Sequence, residues 1–409
     1  MKIEKINNLN ILIYFICSIS LFLEFYFNID SAGSGGFKTD FRTTWPLVED
    51  PLNFSTKFDI KFPLHYYLAG IIYYIVNDKE ILRFIFILIS LPIPYLFFLC
   101  LKIKFKTIKM NNLFLFSLII FLLPSFRSGA VWPNTQITGI FFFLVSMFYF
   151  LKWMDKKEFR NFNTELFLTI LFMSLTVYTR QIYAMIFFYL MIVFYFNLNK
   201  KIFIQTVFVV GLFAVPGILL VLVWPRILEA TFIFKLQNSL LVNASILSFY
   251  LIPFFSILFF FEKKIKFEKN NLLPLLLITL FVVICSKYFS YNYLMGGGYF
   301  IKLSKILFDN FIIFYFTSII GFFLLYYLSL ESKFNLILTL ILLFTVSAYI
   351  IFMKYYEPMF LILLFLLIKT KYTNMFLKNV KNIYLFHLYF FTYLGTAIIN
   401  SFLLFSKNI

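Results

Sequence analysis

Charged residues and cysteine are scarce in this 409-residue chain. Only 13% of the residues are charged and 62% are hydrophobic, which is far from the composition of an ordinary water-soluble domain. The three cysteines, Cys17, Cys100 and Cys285, lie inside or at the end of apolar stretches, and none has the spacing of metal ligands. The composition therefore excludes a disulfide framework, a zinc framework and a water-soluble catalytic domain.

Acidic residues are also few, so that the formal net charge is +18. The basic residues are scattered through short loops between apolar runs and form no continuous basic face. Membrane topology explains such a distribution better than nucleic-acid binding does, and no nucleic-acid partner is expected.

Long apolar runs fill most of the chain. Runs of roughly 17 to 25 residues match the hydrocarbon thickness of a bilayer, and the absence of period-2 alternation favours helices over a closed barrel. We therefore predict an all-α polytopic membrane protein with about thirteen transmembrane helices. The predicted spans are 10–27, 81–101, 112–126, 137–151, 166–178, 182–196, 202–224, 239–261, 272–289, 306–328, 334–352, 358–368 and 383–405.

Lysine and arginine cluster in every second short loop of this arrangement. The basic loops are 102–109, 152–160, 200–201, 263–269 and 369–381. The positive-inside rule places these loops, and the N-terminus with them, in the cytoplasm. We expect an integral, multi-pass protein of a prokaryotic inner or plasma membrane, with an uncleaved first helix.

The segment 28–80 is predicted to be one long outer loop. Its short apolar stretch, 62–76, is interpreted as an interfacial or re-entrant helix, and loops of this length usually carry function. The loop concentrates carboxylates, namely Asp30, Asp40, Glu49, Asp50, Asp59, Asp78 and Glu80. Later outer positions supply cations, namely Arg127, Arg180, Arg226, Lys235, Lys287, Lys302, Lys305 and Lys354. This sorting suggests a site at the outer surface, where a carboxylate deprotonates a hydroxyl and cations stabilise a departing phosphate.

Two parts of the first 200 residues resemble known enzymes. Residues 62–68, FPLHYYL, followed by 77–83, NDKEILR, resemble the first-loop signature of GT-C glycosyltransferases, in the protein mannosyltransferase and aminoarabinose transferase group. Residues 179–181, TRQ, resemble that family's basic turn between the fifth and sixth helices. The chain departs from the pattern in having one proline where the family has two, in placing His65 after that proline, and in lacking an Asp-Glu pair after the first helix.

The resemblance implies an inverting glycosyltransferase. It would transfer a sugar from a polyprenyl-phosphate donor to a glycan, lipid or protein acceptor on the non-cytoplasmic face, within membrane lipid. Asp40 is the candidate general base, Asp30 is its alternative, and Asp50 and Asp59 stay open. Arg180, His65, Arg83 and Lys354 are the candidates for binding the donor's phosphate or sugar.

Other interpretations stay open at this stage. Asp40 could be a helix cap, His65 an interfacial histidine, and Arg180 a snorkelling anchor. No convincing metal site is seen, although a divalent metal is left open. Residues 1–200 are predicted to form the GT-C-like module and 201–409 a set of further helices.

Two other functions compete with glycosyl transfer. A lipid-linked oligosaccharide flippase or other transporter would need polar groups along a path across the membrane, and the predicted spans show few. A polysaccharide polymerase, or an acyltransferase of a different fold, would place its essential residues in later outer loops.

Overall fold

The computed structural model describes residues 6–32, 36–51, 62–156, 162–223, 236–263, 271–294, 296–348 and 350–406. All regular elements within these ranges are helices. The chain divides into two compact units, of which the first is Met1–Glu229 with Phe390–Ile409 and the second is Ala230–Tyr389. The division into functional modules at residue 200 stays a prediction.

The first unit contains eleven of the described helices. They are α1 Asn8–Tyr26, α2 Phe37–Glu49, α3 Leu64–Val76, α4 Lys79–Ser90, α5 Pro92–Lys104, α6 Met110–Ser117, α7 Pro124–Val131, α8 Thr135–Asp155, α9 Thr164–Thr179, α10 Tyr183–Asn197 and α11 Lys200–Val223. A 3-10 turn, Leu118–Leu122, continues α6. Short polar side chains begin several of them: Asn7 caps α1, Asp78 caps α4 and Asn163 caps α9.

The second unit contains the remaining helices. They are α12 Leu236–Phe260, α13 Leu272–Ser286, α14 Gly298–Phe308, α15 Ile312–Ser329, α16 Lys333–Thr345, α17 Met359–Leu366, α18 Lys371–Lys378 and the start of α19 Val380–Ser406. Helices α12 and α15 approach closely, because a Cβ at Gly321 would lie 2.0 Å from the Ala244 carbonyl oxygen. Ser318 Oγ also donates to the Leu241 carbonyl, 3.0 Å away. Small residues at such a contact let helix backbones pack tightly in a membrane.

The number of candidate spans is smaller than the sequence predicted. In the described residues seven helices are long and apolar enough to cross a bilayer, or up to nine if each of two bent helix pairs is one span. The chain is thus built as an integral multi-pass membrane protein, but the prediction of about thirteen spans is wrong.

Short helices account for most of the difference. The predicted spans 166–178, 182–196, 272–289 and 334–352 correspond to α9, α10, α13 and α16, which have 16, 15, 15 and 13 residues. At 1.5 Å per residue these helices are about 20–24 Å long, shorter than a hydrocarbon core of about 30 Å. The predicted spans 112–126 and 358–368 belong to the bent pairs, Met110–Leu122 with Pro124–Val131 and Met359–Leu366 with Lys371–Lys378.

The bent pair in the first unit runs from one end of that unit to the other. Lys106, just before α6, forms a salt bridge with Asp155 at the C-terminal end of α8. Asn10 on the first turns of α1 donates to the Asn111 carbonyl, 3.0 Å away. Since α7 leads directly into the N-terminal end of α8, and α8 has 21 residues, the pair covers the length of a span. We infer that it is one broken span, and that the N-terminus of α1 and the C-terminus of α8 share one end.

Helix α3 is the short apolar helix that the sequence predicted at 62–76. It has 13 residues and ends at Asn77, which adopts the left-handed conformation with φ 46°. It packs against α2 through Gly70, where a Cβ would lie 2.9 Å from the Val48 carbonyl oxygen. The helix is therefore confirmed, while its placement on the outer membrane face stays a prediction.

A buried ion pair holds the bend between the 3-10 turn and α7. Arg127 Nε lies 2.7 Å from Glu24 Oε1 on α1, and each side chain is 4% exposed or less. Arg127 Nη1 also donates to Ser20 Oγ and to the Phe121 carbonyl, each at 3.0 Å. The guanidinium thus satisfies a backbone acceptor at the break, which lipid could not do. The sequence places Arg127 among the outer cations and gives no local signal for its pairing with Glu24.

Cysteine accessibility tests the inferred ends of the first unit. In a cysteine-free background, Thr107→Cys and Lys156→Cys should resist a membrane-impermeant maleimide in intact cells, whereas Thr43→Cys on α2 should react. The basic loops at the shared end should be cytoplasmic by the positive-inside rule. All three should react after permeabilisation. Opposite behaviour of Thr107→Cys and Lys156→Cys would show that the bent pair does not cross the membrane.

Thermal unfolding of the detergent-purified protein tests the ion pair. Glu24→Gln should destabilise it by about 3–5 kcal/mol, because Arg127 is left buried without a counter-charge. The double variant Glu24→Leu with Arg127→Met should lose less, since no unpaired charge remains. Asp155→Asn, which removes an exposed salt bridge, is the control and should cost about 1 kcal/mol or less. Equal losses in Glu24→Gln and Asp155→Asn would contradict this role.

Candidate functional site

Three predicted site residues are hydrogen-bonded to one short segment of the first unit, and a fourth passes beside it. The segment, residues 131–139, joins α7 to the first turn of α8 and is called the α7–α8 link. All of its residues are buried. Asp40 from α2, His65 from α3, Arg83 from α4 and Arg180 at the end of α9 each reach it. Residues far apart in the chain are therefore gathered at the N-terminal end of α8.

Asp40 is half-buried in the first turn of α2. Its Oδ2 accepts a hydrogen bond from Asn134 Nδ2 at 3.3 Å. The Thr135 hydroxyl donates to Asn134 Oδ1 at 2.9 Å, which turns the amide nitrogen toward the carboxylate. Asn134 is the N-cap of α8, where the helix dipole favours negative charge. Asp40 is therefore a partly accessible carboxylate held in a defined orientation.

Asp30, the alternative base, has a different environment. It is 8% exposed, and its Oδ2 accepts the backbone N–H of Lys38 at 2.8 Å while Oδ1 accepts that of Ala32 at 3.1 Å. Lys38 lies in the first turn of α2, so the Asp30 carboxylate satisfies an N–H group that the helix itself leaves unpaired. Its contacts are those of a helix cap. Asp50 directly follows the last residue of α2.

Arg83 is a fully buried cation with one unpaired nitrogen. Its Nε donates to the Val131 carbonyl at 3.0 Å, and its Nη1 donates to Asn28 Oδ1 and to Glu80 Oε2 at 2.8 and 2.7 Å. The guanidinium carbon lies 3.7 Å from the centre of the Trp132 ring. Among the described residues Nη2 has no hydrogen-bond partner. A buried donor without a partner costs free energy unless something binds to it.

A second cation lies over the same ring. Lys38 Nζ is 5.0 Å from the centre of the Trp132 ring, whose Nε1 donates to the Ile29 carbonyl. Burial lowers the pKa of Lys38, and repulsion from Arg42 and Arg83 lowers it further, against an opposing effect of Asp30. Lys38, Trp132 and Asn134 are not predictable from the sequence, because nothing local marks them as partners of residues far away in the chain.

His65 and Arg180 contact the first turn of α8. His65 is 1% exposed, and its Nδ1 shares a hydrogen bond of 2.8 Å with Thr138 Oγ1. Arg180 is half-buried and directly follows α9. Its stem passes Gly139, where a Cβ would lie 3.7 Å from Arg180 Cδ. His65 is therefore a buried part of the packing, whereas Arg180 is only half-buried.

Lys354 belongs to the second unit. It lies in a 3-10 turn, Met353–Tyr355, within the irregular segment between α16 and α17, and its amine is 5.0 Å from the centre of the Phe352 ring. The nearby Gly297 has φ +85° and donates its N–H to the Ile351 carbonyl at 2.8 Å. Three further predicted residues lie outside the described ranges: Asp59, Arg226 and Lys235.

The arrangement in the first unit can support proton removal beside an anion. Asp40 supplies a carboxylate, while Arg83, Lys38 and Arg180 supply positive charge along the same link. Among the described residues no group of three or more His, Cys, Asp or Glu side chains could hold a metal ion.

Comparison with known proteins adds no relative. No protein-family model matches the chain, no curated protein matches it, and no solved structure matches it. The function of the site is accordingly inferred from its residues and their geometry.

Proposed function

We propose that this protein is an inverting membrane glycosyltransferase. It transfers a sugar from a polyprenyl-phosphate donor to an acceptor hydroxyl at the end of the first unit that carries the α7–α8 link. The observation that carries the proposal is the gathering of Asp40, Arg83 and Arg180 on that link. A carboxylate and several cations attached to one short segment can serve the displacement of a phosphate by a hydroxyl.

The position of the link supports a site on the non-cytoplasmic face. Asn134 begins α8, whereas Asp155 ends it beside Lys106. A helix of 21 residues separates these two ends by about 30 Å. Because the Lys106 loop is basic, the positive-inside rule assigns that end to the cytoplasm and the link to the opposite face.

In the proposed reaction, an acceptor hydroxyl displaces the donor's phosphate in one step. The acceptor oxygen attacks the anomeric carbon, and its proton passes to the Asp40 carboxylate. The bond between the anomeric carbon and the phosphate oxygen breaks, and its electron pair stays on the phosphate. Since phosphate is already a good leaving group, a base and positive charge suffice, and Asp40 later returns its proton to water. Asn134 holds the carboxylate in place through its amide.

The other predicted residues take supporting roles. Arg180 can offer a planar guanidinium to the donor's phosphate, in which two N–H groups bind two oxygens. His65 contacts Thr138 and shapes the first turn of α8. Lys354, in the second unit, stays a candidate for the donor's phosphate. The acceptor is a glycan, a lipid or a protein.

Asp40→Asn tests the proposed base. Transfer from a panel of radiolabelled polyprenyl-phosphate sugars, measured in isolated membranes, should fall by about a hundred- to ten-thousand-fold. The amide nearly keeps the shape of the carboxylate but cannot take a proton. Glu49→Gln, which neutralises an exposed carboxylate on the same helix, is the matched control and should leave transfer within about twofold of wild type.

Asp30→Asn and Asp50→Asn complete that test. If Asp40→Asn transferred sugar normally while one of these collapsed at normal protein level, the base would be reassigned to that residue. Normal transfer in these three variants and in Asp59→Asn would contradict the first-loop mechanism. A comparison of lipid-linked and surface glycans with and without the protein identifies the donor and acceptor to use.

Arg180→Ala tests the contribution of that guanidinium to donor use. The kcat/KM for the donor should fall about tenfold or more while the protein level stays normal, because a charge-assisted contact to phosphate is lost. Arg180→Lys should recover only part of the loss, since an ammonium group cannot bind two oxygens in a fork. Full activity of Arg180→Ala would make this residue a membrane anchor only.

A further inference from the structure

The unpaired nitrogen of Arg83 marks a place where a ligand can bind. The Arg83 side chain is about 1% exposed, and three of its hydrogen bonds are made by Nε and Nη1. Its Nη2 carries two N–H groups without a partner among the described residues. Buried guanidinium groups normally have all their donors paired. Nη2 therefore differs from Nε and Nη1 in having hydrogen-bond donors that remain unused.

Lys38 brings a second positive charge to the same aromatic ring. Its amine forms no salt bridge within the described residues and lies over the Trp132 ring, which also carries the Arg83 guanidinium. Asp30, the acid that influences Lys38, uses its two oxygens on backbone N–H groups. The positive charge of Arg83 opposes the charge of Lys38, and an anion bound near both would reduce that repulsion.

The chemistry of these donors selects the anion. A guanidinium edge and an ammonium group bind a tetrahedral oxyanion well, because its several oxygens accept from both at once. Arg83 lies four residues into the candidate span Lys79–Lys104, about 6 Å along the helix axis. That depth suits a phosphate at the level of the lipid headgroups.

We propose that Arg83 Nη2 and Lys38 Nζ together bind a phosphate group over the Trp132 ring. Asn134, which holds Asp40, lies two residues after Trp132 in the same link, so the bound phosphate is close to the proposed base. That this phosphate is the donor's rests on the proposed function. The phosphate itself can be carried by a lipid or be a free ion.

Native mass spectrometry of the full chain in detergent tests this site. The probes are undecaprenyl phosphate, the matching alcohol undecaprenol, and inorganic phosphate as a competitor. Lys38→Gln should weaken binding of undecaprenyl phosphate about tenfold, the order expected for one charge-assisted hydrogen bond. Arg42→Gln, which removes the same charge one turn along α2, is the matched control and should weaken it less than about twofold.

Arg83→Lys provides a second variant. It keeps the positive charge but lacks Nη2, and it should also weaken binding about tenfold when its unfolding temperature shows a folded protein. Displacement of the lipid by millimolar inorganic phosphate would assign the site to free phosphate as well, and no displacement would assign it to lipid phosphate. Equal binding of undecaprenol and undecaprenyl phosphate would overturn the proposal, as would equal losses in Lys38→Gln and Arg42→Gln.

Failure of this site and failure of the proposed function are distinguishable. Asp40→Asn should bind undecaprenyl phosphate normally and transfer no sugar. Binding that depends on Lys38, in a protein that transfers sugar from no donor, would keep the phosphate site and remove the glycosyltransferase. Sugar transfer by the wild type, combined with unchanged binding in Lys38→Gln, would keep the glycosyltransferase and remove the phosphate site.

Discussion

The first unit depends on how one break in a membrane helix is stabilised. Where the 3-10 turn ends and α7 begins, the helical hydrogen bonds stop among buried residues. Arg127 donates to the Phe121 carbonyl there, and the charge that Arg127 brings is matched by Glu24 on α1. This pair fixes the direction in which α7 leaves the break. It thereby sets the position of the α7–α8 link, to which the candidate site residues are attached.

The α7–α8 link binds charged side chains of both signs. Two cations lie over its Trp132 ring, and its Asn134 amide donates a hydrogen bond to the Asp40 carboxylate, so charges of both signs are attached to one short segment. Positive charge left partly unpaired in a buried setting is costly for folding. Such a cost is expected at functional sites, where a ligand completes the interactions that the protein leaves open.

The sequence predicted the long helices better than the short ones. The candidate spans Asn8–Tyr26, Thr135–Asp155 and Leu236–Phe260 agree with predicted spans to within a few residues. Apolar composition alone could not separate them from α9, which is as apolar but only 16 residues long. Hydropathy reports the transfer free energy of a stretch of residues, and a short helix buried among others has nearly the same value as one that crosses the bilayer.

By itself, the sequence determined that the chain is helical, apolar and membrane-embedded. The resemblance at residues 77–83 pointed to Arg83, while Asp40 stayed one of several candidate aspartates in the first loop. These properties are local, since they depend on neighbouring residues and on helix period. Only the tertiary structure decided that Asp30 caps α2, that Glu24 pairs with Arg127, and that Asp40 meets Asn134. The last two pairs are separated by 103 and 94 residues in the chain. Which buried charge finds which partner depends on how whole helices pack, and no local pattern of residue types encodes that.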